Sequence, residues 1–120
     1  MAFDPYSLCP CGTGKKIKFC CPELLGELEQ LDRLVEGDQT EAALEQVIRL
    51  LEKHPKKACL LATRTKLELA TKRFNDAAVT SRAFLEAYPD NPLALGHAAV
   101  AAALLDNMQE AATLFDRSRE

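Results

Sequence analysis

Residues 74–92 read Phe74-Asn-Asp-Ala-Ala-Val-Thr-Ser-Arg-Ala-Phe-Leu-Glu-Ala-Tyr-Pro-Asp-Asn-Pro92. Asn75 has the side chain of a helix N-cap, and the apolar spacing behind it predicts a helix to about residue 88. Pro89-Asp90-Asn91-Pro92 then breaks the chain, with Asn91 set to cap the next helix and Pro92 in its first turn. The same pattern recurs. At an offset of 34, Tyr88-Pro89 aligns with His54-Pro55, Phe74 with Met108, and Asp76-Ala77-Ala78 with Glu110-Ala111-Ala112. Glu41-Ala42-Ala43 is an earlier copy at an offset of 35, one residue out of step. A fixed period of this size marks units that bury their apolar faces only by stacking. The expected fold is all-α, built from antiparallel helical hairpins in series.

The flanking sequence fits that frame. Leu24, Leu28, Leu31 and Val35 follow helical spacing up to Gly37-Asp38. Asp38-x-x-Glu41 has the form of a capping box, and Ala43, Leu44, Val47, Leu50 and Leu51 give the next helix its apolar face. His54-Pro55 ends it, a third helix spans roughly 56–73, and a fifth runs from Leu93 to about Asp106. The fifth is apolar almost all round and should be buried on most sides. Asn107-x-x-Glu110 caps a sixth, with Met108, Ala111, Ala112 and Phe115 inward. The array then either continues in further repeats or packs on another copy, an association through the C-terminal helices.

A 34-residue period, a small residue in the second helix and a proline closing the unit resemble the tetratricopeptide (TPR) repeat. Ala43, Ala77 and Ala111 fall on its alanine position, and Pro55 and Pro89 on its proline position. The resemblance covers residues 23–120, about three hairpins, and implies a short solenoid whose concave face is lined by the first helix of each unit. That face would hold Leu28, Asp32, Cys59, Ala62, Lys66, Leu93, Gly96 and Val100. It implies a protein or peptide partner, without the basic clamp that some such domains use for a C-terminal carboxylate. Residues 53–82 add a basic surface that includes Lys66.

Residues 1–22 differ in character. Cys9-Pro10-Cys11-Gly12-Thr13-Gly14-Lys15-Lys16-Ile17-Lys18-Phe19-Cys20-Cys21 packs four of the five cysteines into one short stretch. The first six residues carry no basic-then-apolar export signal, so a reducing, cytoplasmic setting and a metal site are expected rather than disulfides. Each cysteine pair can grip one edge of a tetrahedron, and Gly12 and Gly14 allow the return loop. The four candidate ligands are Cys9, Cys11, Cys20 and Cys21, with zinc the expected ion and an iron–sulfur cluster its main competitor. Four thiolates leave no open coordination position, so the site should be structural. Lys15, Lys16 and Lys18 would offset its negative charge and could serve as a basic docking tip.

This segment is similar to the SEC-C motif, which ends the bacterial preprotein-translocase motor and occurs in many small bacterial proteins. Thr13 and Ile17 depart from it. The resemblance covers about residues 6–22 and implies a zinc held by Cys9, Cys11, Cys20 and Cys21. In the motor the motif docks the export chaperone.

The rest of the composition excludes more than it adds. Hydrophobic residues make up 48% of the 120-residue chain, ordinary for a globular protein, and no stretch reaches the ~20 apolar residues that span a bilayer. The net charge of −3 gives no bulk argument for nucleic acid or membrane. The knuckle is basic and the helical part acidic, so the two read as separate units. His54 reads as a solvated helix end, His97 as a satisfied core or groove residue, and Cys59 as a buried or half-buried free thiol. No nucleophile stands with a base. The expected function is a non-enzymatic, zinc-binding interaction module, adaptor or translocation-associated scaffold. The alternative is nucleic-acid or ribosome binding through the basic knuckle.

Overall fold

The computed structural model describes residues 9, 11, 15–17, 21–105 and 108–118. A 3-10 turn, Pro22–Leu24, leads into six helices: α1 Leu25–Glu36, α2 Thr40–Lys53, α3 Ala58–Ala70, α4 Phe74–Ala87, α5 Pro92–Leu104 and α6 Met108–Ser118. Each packs on its neighbour in sequence, and α3 also packs on α5. The all-α fold expected from the repeat is therefore present, with no strand among the described residues.

The repetition extends to backbone geometry. Helices α2 and α4 are both 14 residues long, and α3 and α5 both 13. Thr40, Phe74 and Met108 open α2, α4 and α6 at one constant spacing. Asp38 and Lys72 both have φ 61°. One residue later, the Gln39 amide donates to Leu34 O and the Arg73 amide to Glu68 O, each at 2.8 Å. His54 and Tyr88 end their helices at φ/ψ of −133°/68° and −137°/72°. Lys57 and Asn91 precede theirs at −74°/119° and −75°/119°. The period thus holds from the first hairpin onward. The offset of 35 reflects an alanine pair displaced by one place: Ala43 corresponds to Ala77, and both are fully buried.

Several local expectations need correcting. Asp38 does not open α2. Its left-handed backbone closes α1, with bonds running back from Asp38 N to Val35 O and from Gln39 N to Leu34 O. No side chain caps α2, and Glu41 pairs instead with the Arg73 guanidinium of the next unit. Asn75 is not a cap either, because α4 begins one residue earlier and Arg73 takes the cap position. Ala112 is exposed on α6, and Leu114 is buried there. The expected cap at Asn107 lies outside the described residues, as do the side chains of Met108, Ala111 and Phe115.

Asn91 behaves as expected. Its side-chain oxygen accepts from the Leu93 and Ala94 amides at 2.9 and 3.2 Å, and Pro92 follows at the first position. The central helix α3 is apolar on two sides because other helices cover both. Two of its threonines are satisfied locally: Thr65 Oγ1 donates to Leu61 O at 2.9 Å and Thr63 Oγ1 to Cys59 O at 2.7 Å. Phe84 on α4 is fully buried, worth ~2–3 kcal/mol of transfer free energy, and meets Tyr88 edge-on at 5.9 Å. Tyr88 in turn donates its hydroxyl to Lys56 O at 2.6 Å, tying one unit to the next. Helix α5 buries Ala94, Leu95, Ala99, Ala101 and Ala102, while Val100 and Leu104 stay exposed. The helix is therefore buried on most sides and open along the face that these two residues, one turn apart, share.

Candidate metal centre and groove

The described part of the N-terminal segment packs against the helices. Cys9, Cys11, Ile17 and Cys21 belong to the same buried cluster as Leu24, Leu28, Cys59 and Leu60. Short-range bonds shape it: the Cys9 amide donates to Lys15 O at 2.9 Å and the Cys21 amide to Ile17 O at 3.0 Å. Ile17, fully buried, plugs the segment into the core. Two side chains then fasten it to the helix starts. Asn91 Nδ2, at the cap of α5, donates to Cys11 O at 2.7 Å. Lys57, just before α3, pairs with Glu23 in the 3-10 turn.

This docking brings sulfur atoms from two regions together. The Sγ atoms of Cys9, Cys21 and Cys59 lie within 4.8 Å of one another, and all three residues are buried. Cys59 sits in the first turn of α3, with two helices between it and Cys21 in the chain. Sulfurs on a metal at ~2.3 Å stand ~3.8 Å apart at tetrahedral corners, so the trio needs a contraction of at most ~1 Å to close on an ion. The donor set fits: three soft, buried ligands. A hydrogen bond from the Cys59 thiol, helped by the Cys11 amide and thiol, holds the Cys9 thiol down at about 5 although burial opposes this. The same contact and burial push the Cys59 thiol up.

Of the four ligands read from the sequence, Cys9 and Cys21 are in this trio. Cys11 is buried with its thiol within hydrogen-bond reach of Cys9, but outside the mutual trio. Cys20 lies outside the described residues, as does Lys18. Lys15 and Lys16 are exposed. The charge beside the sulfurs includes one the sequence reading did not assign there: the Lys57 ammonium, which is held protonated by Glu23 first and then by Cys21 and Cys59. Cys59 was also missed as a partner of the cluster. Its signal was faint but present, because the equivalent positions in the units on either side are Leu25 and Leu93, and a cysteine stands where the repeat has leucine.

Further along the side of α3 that carries Cys59 lies a groove of about 280 Å³. Its walls are α1 (Leu28, Leu31, Asp32, Val35), α3 (Ala62, Thr63, Lys66, Leu67) and α5 (Leu93, His97). These are the first helices of three successive units, the face the repeat pattern assigned. Leu28, Asp32, Ala62, Lys66 and Leu93 are where the sequence put them. Cys59 does not line it: it shares this side of α3 but sits at the helix start, against Cys9 and Cys21, and is fully buried. Gly96 and Val100 do not line the groove. His97 does, with its ring 6.3 Å from Phe84. It is not the satisfied residue expected, since its Nδ1 is buried without a hydrogen-bond partner. Burial first, and the Lys66 charge second, hold its imidazole below the ordinary value.

Comparison with family models, with curated proteins and with solved structures returns no match. The functional reading therefore rests on this geometry. No described helix is long and apolar enough to cross a membrane.

Proposed function

We propose that this chain is a zinc-stabilised helical-repeat module that binds a peptide segment of a partner protein and catalyses no reaction. The observation that carries the reading is the groove: one apolar trough built from α1, α3 and α5, with Asp32, Lys66 and His97 among its polar residues. At about 280 Å³ it falls below the size of most cofactor pockets and suits two or three aliphatic side chains of a peptide. Polar groups of both signs beside an apolar floor fix the register of such a peptide more than they add affinity. The resemblance of residues 23–120 to TPR repeats, whose corresponding face takes peptides, supports it.

Zinc is the ion that a buried, all-sulfur donor set favours. The likeness of residues 6–22 to the SEC-C motif points the same way. Bound there, zinc would supply cross-linking and charge neutralisation. Cys9, Cys21 and the neighbouring cysteines would hold it, and the burial of the sulfurs leaves no path for a substrate. The setting expected for such a thiolate site is the cytoplasm.

Peptide-library selection tests the interaction. Peptides with paired aliphatic residues should be enriched on the zinc-loaded chain and lost on a Val35→Arg, Lys66→Glu double variant, since both positions lie at the groove and reach solvent. Enriched peptides that bind the variant equally well would place the interaction elsewhere.

A further inference from the structure

We infer that Cys59 is itself a metal ligand, so that the ion is a clasp between the N-terminal segment and helix α3 rather than the centre of a self-contained knuckle. This rests on the metal reading above and changes what the metal does.

Three independent features converge on it. First, Cys59 Sγ is in the mutual trio with Cys9 and Cys21, and no other described cysteine is. A ligand set drawn from the N-terminal segment alone gives Cys59 no reason to stand there. Second, Cys59 breaks the repeat. Its equivalents are Leu25 and Leu93, both partly buried and packed on the core, so the packing at this place is met by leucine. A cysteine there gives up apolar area, and the sulfur contact is what it gains. Third, the start of the neighbouring unit also reaches the same segment. Asn91, in the helix-start turn of α5, bonds Cys11 O at 2.7 Å, and Cys59 is in the first turn of α3. Lys57 and Asn91, equivalent positions with matching backbone geometry, both fasten this segment, one through Glu23 and one through Cys11. The segment lies across the starts of α3 and α5, and the metal joins it to α3.

Among the described residues, Cys11 is the remaining thiol for a fourth position. Burial of all four sulfurs keeps water from the site and makes exchange of the ion slow without local opening. Removing the ion would then loosen two places together: the N-terminal segment and the first turn of α3. A self-contained knuckle would loosen only the first.

The direct test uses the wild-type full chain loaded with cadmium-113. Proton–cadmium correlation spectra should show cross-peaks to the β protons of Cys59 as well as those of Cys9 and Cys21. Cadmium bound with no cross-peak to Cys59 overturns the clasp and leaves the metal reading standing. No stoichiometric binding of zinc or cadmium by the wild-type chain overturns both. Cys59→Ser and the bulkier, apolar Cys59→Val supply a second reading. With circular dichroism unchanged, each should lose more zinc affinity than the roughly 10- to 100-fold that an outer-shell change brings. Each should also show a weaker thiolate-to-cobalt charge-transfer band. A folded variant with wild-type zinc affinity and an undiminished cobalt band overturns the clasp.

Discussion

Asn91 donates its side-chain amide to the carbonyl of Cys11 at 2.7 Å, across 80 positions of sequence, while its oxygen caps α5. One buried side chain thus ends a gap between units and holds the N-terminal segment in place. Asn91→Ala should cost about 2 kcal/mol, combining a lost cap of ~1 kcal/mol with a buried carbonyl left unpaired. Asn91→Asp keeps the cap oxygen but turns a donor into an acceptor facing Cys11 O. It should retain helix α5 yet release the ion faster. Urea midpoints separate the first effect and chelator-competition rates the second; equal rates for wild type and Asn91→Asp would refute the anchoring role.

Metal removal should lower stability in a way that depends on free metal. An ion that binds only the folded chain adds about 2.7 kcal/mol at 100 times its dissociation constant. Thermal melting with excess zinc, and again after a strong chelator, should therefore differ by several degrees or more. Coincident melting curves would remove any structural role for the site.

The groove histidine makes stability pH-dependent. Burial, and then Lys66, keep the folded-state value of His97 below its ordinary ~6.5. Between those two values the unfolded chain holds more protons than the folded one, so stability is fully present above about 6.5 and falls as pH drops towards the folded value. Asp32 and Lys66 line the same groove from α1 and α3, so the assignment needs a variant. His97→Gln should flatten the acid side of a plot of urea midpoint against pH. An unchanged slope would assign the effect to another group.

Two backbone sites invite stabilisation. Asp38 and Lys72 hold φ of 61° with side chains that make that region unfavourable by roughly 1–2 kcal/mol. Gly37, the glycine beside Asp38, is at φ −86° and does not use its freedom. Asp38→Gly and Lys72→Gly should each raise stability by up to ~1 kcal/mol, the relief being offset in part by the glycine's own entropy. Equilibrium unfolding of each variant decides it.

Close packing at the repeat alanines sets the opposite case. Ala77 has no exposed surface, so Ala77→Leu should cost ~1–3 kcal/mol by overpacking. Val79, two residues on and 71% exposed, should accept Lys within ~0.5 kcal/mol. A neutral Ala77→Leu in urea unfolding would show that α4 is less tightly held than the burial implies.

The sequence by itself determined the parts governed by short-range rules. Apolar spacing and the Pro55 and Pro89 breaks located the helices, because helical periodicity and proline's missing N–H act within a few residues. The alanines at 43 and 77 marked the same place in successive units, and both are fully buried. The repeat even placed Leu28, Asp32, Ala62, Lys66 and Leu93 along one groove, since a repeated unit stacks the same face each time. Helix ends were less legible: both αL termini fall on Asp and Lys, residues that give little signal for that geometry.

What only the tertiary structure decided is where the cysteine-rich segment lies. Nothing local to residues 9–21 says that it packs across the starts of α3 and α5. That position follows from burying Ile17 and from satisfying Cys11 O with the side chain of Asn91, at the far end of the fold in sequence. Cys59 shows the same limit. In the chain it is a lone cysteine in a helix, and it becomes part of a sulfur cluster only when the fold brings the start of α3 against Cys9 and Cys21. Sequence spacing reports which groups are near in the chain; a metal responds to which sulfurs are near in space.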